Sequence, residues 1–215
     1  MSYTYGLDEI RDYITNENDE FRPNMRLLKG LLIHATLEDR LETIKENGLL
    51  PRGLAGCHVW GGDRIPRDVD VEEILVCREG NVFFWDDLYE GCAQAIATVG
   101  YLKGGNPGIV IVNVRGFEDK LKFDPEVHRY GEPDREDPIA YMLPQKVPPD
   151  RILCTCRLDD EHKPDMGKIA CPTIHEKEEC PKYDAETLCD EYVYDESKWV
   201  CECRKPISEV VRDVS

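Results

Sequence analysis

The stretch from Leu31 to Arg52, LLIHATLEDRLETIKENGLLPR, places strand, helix and turn signals in one unbroken order. Its first three residues are an apolar run of the strand type, and His34 ends that run. Thr36 is a candidate cap for the helix that follows, whose apolar residues repeat at helical spacing until Gly48. The sequence therefore predicts that His34 lies at a strand exit beside a helix N-terminus, a position suited to an anionic or sugar ligand. The alternative is a histidine that only satisfies a local hydrogen bond.

Composition limits the class of protein. The chain has 215 residues and a formal net charge of -17, so it fits one domain with an appendage and disfavours a broad basic surface for nucleic acid. No stretch approaches the roughly 18 apolar residues that a membrane span needs. The first residues also lack the basic and apolar regions of a secretion signal. These features predict a soluble, cytoplasmic protein that makes no membrane contact.

Further strand and helix signals follow in the first 153 residues. Three apolar runs predict strands: residues 81–85, 109–112 and 139–143. The middle run is β-branched throughout, which is typical of a central strand buried on both faces. Residues 86–100 predict a helix whose small side chains allow close packing on a sheet, and a helix is also predicted from Leu7. The fold class predicted for residues 1–153 is α+β, with a bent, mostly antiparallel sheet and flanking helices.

Ten cysteines are spread unevenly along the chain, and seven of them lie in the last third. In a reducing cytosol, closely spaced cysteines favour metal binding over disulfides. Sets of four thiolate or imidazole ligands are what structural zinc selects. We therefore predict a zinc-stabilised module over residues 154–215, with ligands drawn from Cys154, Cys156, Cys171, His175, Cys180, Cys189, Cys201 and Cys203. Disulfides or buried free thiols are the alternative.

Three segments between about residues 30 and 153, taken in order, resemble a known pattern. They are His34-Ala35-Thr36 with its helix and Gly48-Leu49 turn, the strand NVFFW before an alanine-rich helix, and IAYMLPQKVPPDRI from Ile139 to Ile152. In this order they resemble the ADP-ribosyltransferase-like superfamily. That superfamily comprises NAD-dependent ADP-ribosyltransferases and tRNA 2′-phosphotransferases. Each motif is short, so the order of all three carries the resemblance.

The resemblance implies a cleft that binds NAD as substrate through residues from the first two segments: His34, Thr36, Phe83 and Phe84. Phe83 and Phe84 are alternatives for the ring that stacks on nicotinamide. The family also places a catalytic acid at the start of the last strand, where this chain has Ala140. We therefore assign the acid to Glu136, just upstream, with Asp137 as the neighbouring alternative. His34 is the second predicted catalytic residue.

These features together predict a transferase that moves ADP-ribose from NAD to an acceptor. The acceptor is a protein, a nucleic acid or a small molecule, and the sequence does not choose among them. One alternative is an RNA 2′-phosphotransferase, which needs basic residues in the cleft; the nearest candidates are Arg52, Arg64, Arg67 and Arg129. A second alternative is a binding module that kept the fold and lost the activity.

Overall fold

A computed structural model describes residues 2–7, 9–10, 30–51, 80–86, 88–102, 105–124, 140–162, 198–206 and 208–209. Its strands are β1 (Tyr3–Gly6), β2 (Leu31–Leu37), β3 (Val82–Trp85), β4 (Pro107–Asn113), β5 (Lys122–Phe123), β6 (Ala140–Leu143), β7 (Ile152–Leu158) and β8 (Trp199–Cys203). Its α-helices are α1 (Leu41–Asn47) and α2 (Leu88–Leu102). Short 3-10 helices cover Glu38–Arg40, Pro149–Arg151 and Asp160–His162. At Leu7, Glu9 and Ile10 the chain is helical, as predicted.

The strands form one 8-stranded sheet in the order β1-β8-β7-β4-β2-β3-β6-β5. Every pairing in it is antiparallel. Strand β4 lies in the interior of the sheet and all of its residues are buried, because its β-branched side chains pack against apolar clusters on both faces. The α+β class, the antiparallel sheet and the central position of β4 are therefore confirmed.

Helix α2 covers one face of the sheet, which we call the α2 face. Ile33 and Ile111 on this face belong to the same buried cluster as Ala95 and Val99 of the helix. Gly91 makes the approach close, since a Cβ there would overlap Cγ2 of Ile33. The small residues that predicted close packing thus meet the sheet as expected.

Helix α1 covers part of the opposite face, the α1 face, where Leu41 and Ile44 pack with Val110 in a second buried cluster. The predicted start of this helix is wrong, because β2 continues through Leu37 and Thr36 lies within the strand. The chain turns through a 3-10 helix first, and the Glu38 N–H donates to the Asn106 carbonyl at 2.9 Å instead of meeting a side-chain cap. The predicted end at Gly48 is confirmed by its φ of 76°.

The cysteines of β7 and β8 form disulfides, so the zinc prediction is wrong. The strand register sets Cys154 opposite Cys203 and Cys156 opposite Cys201, and each pair is bonded. A sulfur atom bonded in a disulfide is no longer the thiolate that zinc binds. No cluster of metal ligands occurs among the residues that the structure describes. The remaining predicted ligands lie outside these residues: Cys171, His175, Cys180 and Cys189.

Disulfides also correct the predicted location. Because they form and persist in oxidising compartments, the paired cysteines of β7 and β8 indicate an extracellular or periplasmic setting and not the cytoplasm. No helix in the described ranges has both the length and the apolar character to cross a bilayer.

The predicted domain boundary after residue 153 falls within β7. Strands β7 and β8 belong to the same sheet as the elements before them. Residues 163–197 lie outside the described part of the chain, so the division into residues 1–153 and 154–215 stays a prediction.

Candidate functional site

His34 is the polar side chain around which the candidate site is built. It lies in β2 opposite Val110 of β4 and faces the α1 side of the sheet. Its side chain is nearly buried, with 8% relative exposure. The Nδ1 atom lies 2.8 Å from the carbonyl oxygen of Phe83 in β3. A buried imidazole in a central strand is thus tied to the backbone of the neighbouring strand.

The junction of β2 and β3 is the place where this contact occurs. Strand β2 pairs with β4 along its whole length, from Leu31 to Leu37. With β3 its register contains one pair, Ile33 opposite Trp85. The His34 side chain therefore supplies a link between the two strands just beyond the point where the described ladder ends.

Thr36 lies two residues after His34 and so points to the same face of β2. It is buried, with 2% relative exposure, and stands opposite Gly108 of β4. Because Gly108 has no side chain, the backbone nitrogen of Glu38 can lie close to β4 at this position. The structure thus brings His34 and Thr36 together on one face of β2, whereas the sequence pattern predicts that the strand ends at His34 and that Thr36 caps the following helix.

The two candidate aromatic residues have different surroundings. The ring of Phe84 meets the His34 imidazole edge on, with 6.1 Å between ring centroids and 66° between ring planes. Phe84 is fully buried in the α1-face cluster. Phe83 is half-buried and, by strand alternation, points to the other face. Only Phe84 therefore shares the face of His34, and Phe83 reaches the histidine through its carbonyl group. The nicotinamide-stacking role stays a prediction for both.

Strand β6 carries the position where the family places its acid. Ala140 lies opposite Trp85 and joins the α2-face cluster, so its side chain is on the face away from His34. The next residue, Tyr141, lies opposite Phe84 and is fully buried on the α1 face. An acid at position 140 would consequently point away from the histidine. The residue that lies on the α1 face, with His34, is Tyr141.

Sequence reasoning did not single out Tyr141. The signal was available, because neighbouring residues of a strand alternate between faces and a tyrosine next to Ala140 must take the opposite one. Glu136 and Asp137, the two residues considered for the catalytic acid, lie outside the described residues. Their role stays a prediction.

Charged residues fix the first residue of the 3-10 helix that follows β2, Glu38. One carboxylate oxygen of Glu38 accepts a hydrogen bond from the Asn106 amide at 2.8 Å. The other lies 3.6 Å from Nε of Arg157 in β7. These contacts join three segments that are distant in sequence, so no local pattern could have revealed them. They fix the turn by which the chain leaves the strand of His34.

A second group of charges holds the end of α1. Lys45 Nζ lies 2.7 Å from Glu202 of β8 and 2.6 Å from Glu42 of its own helix. Burial acts to lower the Lys45 pKa, but the two carboxylates outweigh it and the pKa is raised above its ordinary value. The Arg204 guanidinium donates to the Lys45 carbonyl and, at 2.6 Å, to the carbonyl of Pro149. Helix α1 is therefore anchored to β8 at its C-terminal end.

Comparison with known proteins adds little to this geometry. No family model matches the chain and no curated protein matches it. A solved structure named EcPltA resembles it with 10% sequence identity and a TM-score of 0.35, over 60% of this chain and 76% of the other. At that TM-score the likeness does not establish a common fold or a family.

Proposed function

We propose that the chain is an NAD-dependent ADP-ribosyltransferase-like enzyme that transfers ADP-ribose from NAD to an acceptor. The observation that supports this best is the arrangement of His34 at the β2–β3 junction. Its imidazole is held by the Phe83 carbonyl and the Phe84 ring, and Thr36 shares its face. The sequence resemblance names His34, Thr36 and Phe84 among the residues that bind NAD.

The sheet also supports the finer assignment of fold. Its antiparallel order and the short pairing between β2 and β3 suit a sheet that bends at this junction, as in the ADP-ribosyltransferase type. A ligand lying along the junction would meet β2 on one side and β3 on the other.

The transfer of ADP-ribose replaces one bond at C1′ of the ribose with another. The bond between nicotinamide and C1′ of the ribose breaks, and nicotinamide leaves with the bonding electrons. The acceptor nucleophile bonds to C1′ and releases its proton to the solvent. His34 and Thr36 would orient the ribose through its hydroxyl groups, which turns a diffusional encounter into a positioned one. A carboxylate, which we assign to Glu136, would stabilise the positive charge that develops on the ribose ring.

The test is a calorimetric titration with NAD. We expect binding by the wild type and weaker binding by Thr36→Val, which keeps the shape but removes the hydroxyl. Thr155→Val is a matched control, because Thr155 is a buried threonine at 3% exposure on the same face, in β7. Wild-type protein that does not bind NAD, or equal loss in both variants, would contradict the proposal.

A second candidate function is a binding module without catalytic activity. The observation that favours it is that the β6 residues on the face of His34 are Tyr141 and Leu143, neither of which carries a carboxylate. Such a module would bind NAD and release it unchanged. The 2′-phosphotransferase alternative has no comparable support, because its basic candidates Arg52, Arg64, Arg67 and Arg129 lie outside the described residues.

A further inference from the structure

Two arginines, Arg151 and Arg204, lie at the 3-10 turn before β7, and we call them the arginine pair. Nη1 of Arg151 donates a hydrogen bond to the Arg115 carbonyl at 2.8 Å. The guanidinium of Arg204, which follows β8, donates to the carbonyls of Pro149 and Lys45. A carbonyl oxygen accepts hydrogen bonds but carries no net charge. These bonds therefore orient both guanidinium groups and leave their positive charges uncompensated.

The arginine pair forms no ion pair with a carboxylate in the part of the chain that the structure describes. This is unexpected in a chain with 44 acidic residues against 27 basic ones. Arg157 in β7 shows the ordinary case, since its guanidinium nitrogens lie 3.6 Å from carboxylate oxygens of Glu38 and Asp160. The turn before β7 thus presents two positive charges that the described residues do not neutralise.

Both guanidinium groups are held in place without a ligand. That of Arg151, a half-buried residue, lies over the Phe117 ring at 5.2 Å from the ring centroid. Arg204 is exposed, and its backbone N–H donates to the Leu153 carbonyl while its side chain joins α1 to the turn. The bonds to carbonyls use only some of the N–H groups of each guanidinium. The remaining donors are already oriented, which reduces the entropy that binding an anion must overcome.

We propose that the arginine pair binds a phosphate group, with both guanidinium groups donating to its oxygens. Two positive charges match a phosphate dianion, whereas one carboxylate would neutralise only one of them. Guanidinium groups also bind phosphate oxygens through paired hydrogen bonds. Strands β7 and β4 lie between β8 and β2, which sets β8 about 14 Å from β2. The phosphate site therefore lies away from the β2–β3 junction, and it does not rest on the proposed function.

The test is a calorimetric titration with inorganic phosphate at constant ionic strength, which keeps charge screening constant. We expect Arg151→Gln and Arg204→Gln each to weaken phosphate binding about tenfold, the effect of a lost hydrogen bond to a charged group. Arg40→Gln is the matched control, because Arg40 is exposed in the 3-10 helix after β2 and its loss removes the same charge. We expect its phosphate affinity to stay within about twofold of the wild type. No binding by the wild type, or equal losses in all three variants, would overturn the proposal.

Urea unfolding with and without phosphate compares each protein with itself, so a variant of lower stability is still informative. We expect phosphate to stabilise the wild type, because it binds the folded state, and to have no effect on the double variant Arg151→Gln/Arg204→Gln. Equal stabilisation of both proteins would place the phosphate elsewhere. Arg151→Gln also leaves the bonds of Arg204 to α1 intact, so its result does not depend on the position of that helix.

Other ligands identify the class and source of the anion. We expect sulfate, also a dianion, to compete with phosphate, and acetate to bind at least about tenfold more weakly; equal affinity for acetate would overturn the phosphate assignment. Binding of methyl phosphate as well as inorganic phosphate supports a phosphorylated molecule as the ligand, and binding of inorganic phosphate alone supports the free ion. Saturating NAD should leave the phosphate affinity unchanged, and competition between the two would overturn a separate site. If NAD does not bind, the proposed function fails and the phosphate titrations still decide this proposal.

Discussion

Removal of one disulfide should cost far less stability than removal of both. The sequence separations are 49 for Cys154–Cys203 and 45 for Cys156–Cys201. Either bond alone closes a long loop of the unfolded chain, worth about 4 kcal/mol in the loop-entropy treatment. Once one bond exists, the second closes only a ring of about six residues and adds about 2 kcal/mol. The pair should therefore contribute about 6 kcal/mol, and each bond alone about 4.

The measurement is urea unfolding with and without a reductant. It is made on the wild type and on two variants that keep one disulfide each, Cys154→Ala/Cys203→Ala and Cys156→Ala/Cys201→Ala. The difference between oxidised and reduced forms of the same protein isolates the cross-link from the truncated side chains. Because the bonds lie two residues apart on paired strands, the two single-disulfide contributions should sum to more than the wild-type value. Two contributions that sum to the wild-type value would refute the nested-loop reasoning.

Three further predictions concern the turn, the lysine and the acid. Gly48 and Gly80 both have positive φ, but only at Gly48 would a Cβ overlap a backbone carbonyl oxygen. In chemical unfolding, Gly80→Ala should thus cost about 1 kcal/mol and Gly48→Ala about 3 kcal/mol; equal costs would show that the overlap is relieved. The raised pKa of Lys45 means that its stabilising effect is present below its ordinary pKa of 10.5 and is lost as pH rises through the raised value. The stability difference from Lys45→Met should therefore shrink in that alkaline range, and a constant difference would exclude the link. Glu136→Gln should abolish NAD cleavage and leave NAD affinity within about threefold, since the charge acts mainly on the transition state; loss in Asp137→Asn instead would reassign the role.

Local patterns predicted the parts of the fold that depend on neighbours in sequence. The run Ile109 to Val112 is one such part, because an unbroken β-branched run predicts a strand buried on both faces. The helix after Trp85 is another, because its apolar periodicity determines which face it buries. Strand β1, with the sequence YTYG, is only four residues long and joins the sheet by pairing with β8. Thr36 was misassigned because its pairing with Gly108 extends the strand beyond its apolar run.

The candidate site also combines features that local sequence predicts with features that depend on contacts between distant segments. Strand alternation puts His34 and Thr36 on one face of β2 only because the strand extends to Leu37, which the sequence pattern did not predict. The carbonyl of Phe83 is a backbone group, so no side-chain motif signals it. The cysteine pairs depend on the register of β7 against β8, which side-chain spacing within either strand does not determine. The contacts of Glu38 and Lys45 with β7 and β8 are equally beyond local reasoning, since they join residues that meet only in the folded chain.

The pairing of β1 with β8 has a consequence for the order of folding. Tyr3 stands opposite Cys203, and β8 is the only strand that joins β1 to the sheet among the described residues. During synthesis β1 emerges before β8, and almost two hundred residues separate the two strands. Contacts between such distant segments form slowly, because the chain entropy between them is lost before the contact stabilises anything. The pairing of β1 with β8 should accordingly form last, after β2 has paired with β4 and β7 with β8.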